Sequence, residues 1–180
     1  MSLGSWLKAH RKQVITHTSI VVGFVLFIIF VSEPLFDRLE RLDKIPGEAQ
    51  LHQLQLPTET DDIMYAFDIS TENPGVAAIE RGWAFIEGED SENSKVYIVL
   101  KSNSQTYIFD THVEKRSDVT RHFQELDLNL DYSGFVALIP ARKIANGPYT
   151  VGVYITKGDI EALQYTNKTI TKSGGTLETE

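Results

Sequence analysis

The segment "YTVGVYIT", residues 149–156, has the alternating pattern of a β-strand. Tyr149, Val151, Val153 and Ile155 lie on one side of an extended chain, because successive side chains of a strand point to opposite faces. Eight residues with this period of two predict a β-strand with one apolar face. The same period recurs in six further segments, separated by turn residues: 63–70, 78–88, 95–101, 106–113, 133–140 and 161–171.

These segments form one predicted domain, residues 63–172. About seven short strands separated by turns predict an all-β fold, an antiparallel β-sandwich. One short helix is expected in "RSDVTRHFQEL", residues 116–126, with Ser117 or Asp118 as its N-cap. The polar tail, residues 173–180, is expected to be disordered.

The segment that leads into this strand, "KIANGPYTVGV" at residues 143–153, resembles a tyrosine corner. In immunoglobulin-like and fibronectin type III-like domains, a Tyr near the start of the sixth strand bonds the backbone a few residues upstream. The resemblance implies that Tyr149 and Gly147 define the fold here. It also implies that the Tyr149 hydroxyl bonds a backbone group near Ile144 or Arg142.

Residues 82–155 as a whole resemble small bacterial immunoglobulin-like modules of cell-envelope proteins. The shared features are "RGWAFIEG", "RSDVTRHF", "SGFVALIP" and "NGPYTVGVYI", while the Cys and Trp spacing of antibody domains is missing. The resemblance implies an immunoglobulin-like sandwich in the cell envelope. It implies no reaction, since one fold hosts many functions.

A second stretch, "SIVVGFVLFIIFVSEPLFDRLERLDK" at residues 19–44, predicts a membrane anchor. No Asp, Glu, Lys or Arg occurs from Val14 to Val31, and about 20 residues of helix span a bilayer. We therefore expect a transmembrane helix over residues 14–36. A cleaved signal peptide needs small residues before its cleavage site, where this chain has Phe30.

Basic residues predict the orientation of the anchor. Residues 1–13 carry Lys8, Arg11 and Lys12, and no acidic residue precedes Glu33. We expect the chain to pass once through the cytoplasmic membrane. Because basic flanks stay on the cytoplasmic side, the N-terminus is expected inside and the C-terminal domain outside.

Two segments connect the predicted anchor to the predicted domain. Residues 32–45 place Leu35, Leu39 and Leu42 at helical spacing, which predicts a juxtamembrane stalk helix overlapping the end of the anchor. A surface for a partner helix is the alternative interpretation. Residues 46–62 contain Pro, Gly and a polar cluster, which predict a linker.

Charge and cysteine content exclude several functions. The chain has a net charge of −8, and residues 46–180, with 11 basic and 21 acidic residues, have −10. This acidity argues against nucleic acid or anionic lipid headgroups as partners of that part. The chain has no cysteine, which excludes disulfides and thiolate sites and favours a bacterial or archaeal envelope protein.

Two acidic segments are candidates for calcium. "EGEDSENS", residues 87–94, lacks the spacing of a known calcium loop. "DLNLDYSG", residues 127–134, copies the first three ligand positions of an EF-hand, but Tyr132 replaces the required Gly and Leu138 the required Glu. We expect no metal or other cofactor, and calcium-dependent adhesion is a second alternative function.

No motif predicts catalysis. His112 and His122 lie ten residues apart without metal-ligand spacing, and the chain has neither a nucleophile elbow nor a Gly-rich phosphate loop. We therefore expect a protein that is not an enzyme.

Aromatic residues suggest a glycan-binding alternative, because flat rings can stack on sugars. The candidates include Trp83, Tyr107 and Tyr165. Tyr97 and Tyr154 lie opposite the apolar faces of their strands, so these two are expected to be exposed ligand-surface residues.

Two smaller motifs complete the set. Ser19 and Gly23 form one small-xxx-small pair in the anchor, which is a candidate for helix association. Asn167-Lys168-Thr169 is a glycosylation sequon.

These features together predict a non-enzymatic, single-pass membrane protein. We expect its immunoglobulin-like β-sandwich to lie outside the cytoplasmic membrane and to bind another envelope or membrane protein, as an accessory or scaffold. A cell-envelope glycan-binding module is the first alternative.

Overall fold

The computed structural model describes residues 11–27, 47–73 and 75–179. The chain forms two compact units, Met1–Pro46 and Gly47–Glu180. In the first unit, helix α1 spans Arg11–Phe27. Across the described ranges, no helix combines the length and the apolar character needed to cross a membrane.

Helix α1 covers residues 14–27 of the predicted anchor, which spans residues 14–36. The remainder of the anchor from residue 28 onward lies outside the described residues, as do the first ten residues and the predicted stalk helix, residues 32–45.

The second unit is built from strands. The part that the structure describes contains ten of them: β1 (Leu51–His52), β2 (Ile63–Ala66), β3 (Val76–Ile86), β4 (Lys95–Lys101), β5 (Thr106–Asp110), β6 (His112–Glu114), β7 (Gly134–Pro140), β8 (Gly147–Lys157), β9 (Ile160–Ser173) and β10 (Thr176–Thr179).

These strands form two antiparallel sheets. One has six strands in the order β1-β5-β4-β8-β9-β10, and the other has four in the order β2-β3-β7-β6. The predicted mostly β, antiparallel architecture is thus confirmed. The strands exceed the predicted seven partly because residues 106–113 divide into β5 and β6, which belong to different sheets.

In the described part of the second unit, three short helices interrupt the strands. They are α2 (Ser117–His122), the 3-10 helix η1 (Gln124–Leu126) and the 3-10 helix η2 (Ala141–Lys143). The helix predicted within residues 116–126 is present, but its predicted cap is wrong. Arg116 is the N-cap and no side chain caps the helix, because the Asp118 carboxylate instead accepts two hydrogen bonds from the Arg116 guanidinium.

The core lies between the two sheets, where the period-two pattern predicts it. Each residue of the central apolar set is at most 5% exposed, and all belong to one cluster: Val96, Ile98, Leu100, Phe135, Ala137, Ile139, Val151, Val153 and Ile155. Burial of these side chains stabilises the pairing of the sheets through removal of apolar surface from water.

The outer face of the four-stranded sheet is also covered. Phe85, on the side of β3 away from the main core, packs with Val119 of α2 and with Leu130. Trp83 and Phe123 pack against this second cluster. The loop between β6 and β7 therefore forms a layer over the sheet.

The predicted disordered tail is wrong for its described part. Strand β10 pairs with β9, and Leu177 is 4% exposed within the main core. Gly174, with φ of 59°, makes the tight turn between the two strands. The pairing with β9 and the buried side chain of Leu177 together hold the end of the chain on the sheet.

Candidate functional site at the end of the sheets

Tyr149 anchors the connection between β7 and β8. It is 2% exposed, and its hydroxyl donates a hydrogen bond to the Ala145 carbonyl, four residues upstream, at 2.9 Å. The acceptor lies next to Ile144, one of the two positions that the sequence suggested. Burial raises the pKa of Tyr149, and Tyr107 adds to the effect.

Tyr107 fixes the other side of the same residue. The Ala145 N–H donates to the Tyr107 hydroxyl at 3.1 Å, and that hydroxyl donates to Gln105 Oε1 at 2.6 Å. The two tyrosine rings meet edge to face, with centroids 5.7 Å apart. Both backbone groups of Ala145 are thus held by side chains, which ties the connection to the β4–β5 turn.

Gly147 is required by its backbone conformation. Its φ is 137°, a region that side chains with a Cβ rarely adopt, although a Cβ would meet no atom within 4 Å. Glycine at this position lets the chain turn into β8 directly before Tyr149.

A groove of about 670 Å³ opens beside this connection. Three elements supply its walls: the β4–β5 turn, the β7–β8 connection and the face of β9. Its lining comprises Lys101, Ser102, Asn103, Ser104, Gln105, Ala145, Asn146, Gly147, Pro148, Tyr149, Thr150, Tyr165 and Thr169. We call it the end groove.

The end groove is uncharged except for one lysine. No carboxylate occurs among the described residues that line it, although residues 46–180 are strongly acidic. The Lys101 ammonium lies 4.5 Å from the centre of the Tyr165 ring. The same ring also lies close to Gly152, where a Cβ would be 2.8 Å from Tyr165 Cδ1.

The sequence did not identify the end groove, because its walls come from turns that lie far apart in the chain. The available signals were the turn residues of "SNSQ" at 102–105 and "NGP" at 146–148. Nothing in their spacing indicates that they meet.

Tyr97 and Tyr154 lie elsewhere, on the outer face of the six-stranded sheet. Their rings stack with centroids 5.5 Å apart. The predicted exposure of Tyr154 is wrong, because this residue is only 2% exposed, while Tyr97 is half-buried. The Tyr154 hydroxyl donates to Glu161 Oε1 at 3.0 Å, and burial together with this partner raises the pKa of Tyr154 to about 12.

Residues 53–60, which we call the strap, cover this face. Strand β1, before the strap, pairs with β5 at one edge of the sheet. At the end of the strap, the Thr60 N–H donates to the Leu163 carbonyl of β9 at 2.6 Å. Between these points, Leu56 packs on the cluster that contains Tyr154.

The predicted linker, residues 46–62, thus needs correction over its described part. From Gly47 onward it belongs to the second unit and contains β1 and the strap. The partners of the strap lie about a hundred residues further along the chain, so local composition could not predict them.

Glu48 forms a second anchoring point that the sequence did not reveal. Its side chain is 3% exposed and pairs with Arg142 and with Lys143 Nζ, the latter at 2.7 Å. Burial raises the pKa of Glu48, but hydrogen bonds and charge from the two cations more than offset this, so the pKa lies below 4.5. This ion pair holds the start of the second unit to η2.

The acidic segments have structural partners. Glu89 pairs with Lys157 at 2.9 Å, and Asp90 Oδ1 accepts the Asn129 N–H at 2.6 Å. Asp131 accepts the Thr120 hydroxyl at 2.7 Å. Within the described ranges, no three acidic or histidine side chains converge as metal ligands would.

The remaining residues that the sequence suggested as functional are exposed. Ser19 and Gly23 are exposed on α1, and His112 and His122 are exposed on different elements. Asn167 is exposed where β9 pairs irregularly with β8.

Comparison with known proteins gives no relative: no family model, no curated protein and no solved structure matches this chain.

Proposed function

We propose that the chain is a non-enzymatic, single-pass protein of the cytoplasmic membrane. Its C-terminal unit faces the outside and binds another envelope or membrane protein, as an accessory or scaffold.

The apolar surface of α1 carries this proposal. Six large apolar side chains of the helix are each at least 46% exposed: Ile20, Val21, Val22, Phe24, Val25 and Phe27. Because they occupy nearly consecutive positions, they surround the helix rather than forming one stripe. A helix that is apolar on all sides needs an apolar environment, as a bilayer provides. Lys8, before α1, and Arg11 and Lys12, in its first turn, support a cytoplasmic N-terminus.

The strand orders support an immunoglobulin-like assignment of the second unit. With β2, β3, β7 and β6 as strands A, B, E and D, and β5, β4, β8 and β9 as C′, C, F and G, they give the order of that fold. Tyr149 then occupies the position of a tyrosine corner at the start of strand F. Domains of this type commonly act in protein recognition, which supports a protein partner by analogy of fold.

The two alternatives have less support. Glycan binding through Tyr97 and Tyr154 would require removal of the strap, because Tyr154 is buried beneath it. Calcium-dependent adhesion would require Glu89 and Asp90 to leave their present partners.

Protease protection tests the topology. Protease added to intact spheroplasts should digest the chain after about residue 45 and leave a short protected N-terminal fragment. Protection of the C-terminal unit until the cells are lysed would reverse the orientation and contradict the proposal.

Cross-linking in native membranes tests the partner. The full chain should capture a defined protein, and a matched control consisting of residues 1–46 should not. Capture of the same protein by the control would assign the contact to the N-terminal unit, where Ser19 and Gly23 lie. That result would remove the proposed role of the second unit.

A further inference from the structure

We infer that the end groove is a binding site for an acidic oligosaccharide, a hydroxyl-rich chain that carries carboxylates. Tyr97 and Tyr154 do not line this site, which adjoins the strap-covered face because Tyr165 also packs against the cluster that contains Tyr154. It gives the second unit a ligand in addition to the proposed protein partner and does not depend on that partner.

The size and the walls of the groove suit a small ligand. Its volume of about 670 Å³ lies within the range of about 300–1,000 Å³ that is usual for small-molecule sites. The Ser102 hydroxyl accepts the Gln105 N–H at 3.1 Å, which closes the β4–β5 turn. Tyr107 and Tyr149 hold Ala145 on the opposite wall. A site whose walls are fixed in advance loses less entropy on binding.

The polar lining suits sugar hydroxyl groups. Hydroxyl and amide side chains line the groove, and each both donates and accepts hydrogen bonds, as sugar hydroxyls do. Within the described residues, the side-chain amides of Asn103 and Asn146 have no hydrogen-bond partner, and both residues are exposed. The Gln105 carbonyl oxygen is occupied by Tyr107, so its amide nitrogen is available as a donor.

The charge of the groove selects an acidic sugar over a neutral one. Lys101 has no carboxylate partner among the described residues, and its ammonium is positioned over Tyr165. Lys172 adds a second positive charge behind the wall, where its ammonium donates to the Ile144 carbonyl at 2.5 Å. The nearest acid on the strap, Glu59, accepts the backbone N–H of Tyr165 at 3.3 Å and is not part of the lining.

The test measures binding of tetragalacturonic acid to the full chain in a detergent without a sugar headgroup, with EDTA present. Isothermal titration should show saturable binding that weakens as salt is added, because a charge pair is screened. The neutral galactose tetrasaccharide should bind at least about tenfold more weakly, the cost of one lost charge-assisted hydrogen bond.

Two lysines at opposite ends of β4 provide a matched pair. Lys101 lies in the groove, whereas Lys95 is an exposed lysine outside it. Lys101→Gln should weaken binding of the acidic sugar about tenfold and should abolish most of its preference over the neutral sugar. Lys95→Gln should change neither the affinity for the acidic sugar nor the preference over the neutral one. Lys101→Arg should retain most of the affinity of the native chain for the acidic sugar. Asn146→Ala should weaken binding of both sugars.

Four results would overturn the inference. They are no saturable binding up to about 10 mM sugar, equal losses in the two Lys→Gln variants, equal affinity for the two sugars, and displacement of the sugar by equimolar inorganic phosphate, which would indicate a plain anion site. None of them affects the cross-linking result expected for a protein partner, so the two proposals fail separately.

Discussion

Replacement of Tyr149 by Phe tests the atom on which the fold assignment depends. The change removes the hydroxyl and keeps the ring, so the edge-to-face contact with Tyr107 remains. What is lost is the hydrogen bond to the Ala145 carbonyl.

The expected loss of unfolding free energy is about 1 kcal/mol. A net intramolecular hydrogen bond contributes about 0.5–1.5 kcal/mol, and the cost rises towards about 3 only when the remaining partner is stranded without water. Ala145 is exposed, so its carbonyl can bind water once the hydroxyl is gone. The expected loss of unfolding free energy therefore lies within about 0.5–1.5 kcal/mol.

Tyr154→Phe should now cost a similar amount. The exposure that the sequence predicted for Tyr154 would have placed its hydroxyl in water, where its loss costs little. In the structure this residue is buried and donates to Glu161. Glu161 is exposed, so water can also replace the lost donor there.

Urea unfolding of residues 47–180 measures these losses. Trp83 is the single tryptophan of that fragment and packs against Phe85 and Phe123, so its fluorescence should report unfolding. Tyr132→Phe is the matched control, because Tyr132 is 44% exposed, and it should change stability by less than about 0.5 kcal/mol. A loss at Tyr149 no larger than this control would refute the corner.

Three further changes test other contacts of the second unit. Glu48→Gln should lower the free energy of unfolding by about 1.5–3 kcal/mol at pH 7. The native chain should lose stability as the pH falls below about 4.5, because the lowered pKa of Glu48 favours the folded state only while the carboxylate is ionised. The variant should show less of this loss, and thermal unfolding at pH 7 and at lower pH measures both effects. Gly82→Ala should cost about 1–3 kcal/mol, because the new Cβ would lie 2.5 Å from the ring of Phe135, whereas Gly175→Ala, with no atom within 4 Å, should be neutral in the same urea titration. Leu177→Ala should cost about 2 kcal/mol and speed hydrogen exchange in the C-terminal hairpin, and unchanged exchange would show that β10 does not depend on core contacts.

The inner faces of the sheets could be predicted because they follow from one local rule. Val151, Val153 and Ile155 alternate with their neighbours, and a half-buried strand requires that pattern. The Tyr149 bond was implied by the resemblance to a tyrosine corner, and its donor and acceptor lie only four residues apart. In both cases the information is carried by a short segment.

The strap and the Glu48 ion pair could not be predicted in the same way. Thr60 meets Leu163 and Glu48 meets Arg142, each across most of the second unit. Neither pair has a periodic or compositional signal. Pro57 and the polar residues after it are typical of a linker. This composition is the same whether or not Leu56 packs on a sheet, so it does not reveal the contact.

Tyr154 shows where the period-two argument ends. Alternation assigns Tyr154 and Val153 to opposite faces of β8, and the structure places them in separate clusters. Alternation does not determine which of the two faces contacts water, because that depends on what the rest of the chain places over each face. Here the strap covers the second face, so a residue on the side away from the main core is as buried as one within it. One uncovered polar surface lies at the end groove, where the turns meet, and a search for ligand contacts should begin there.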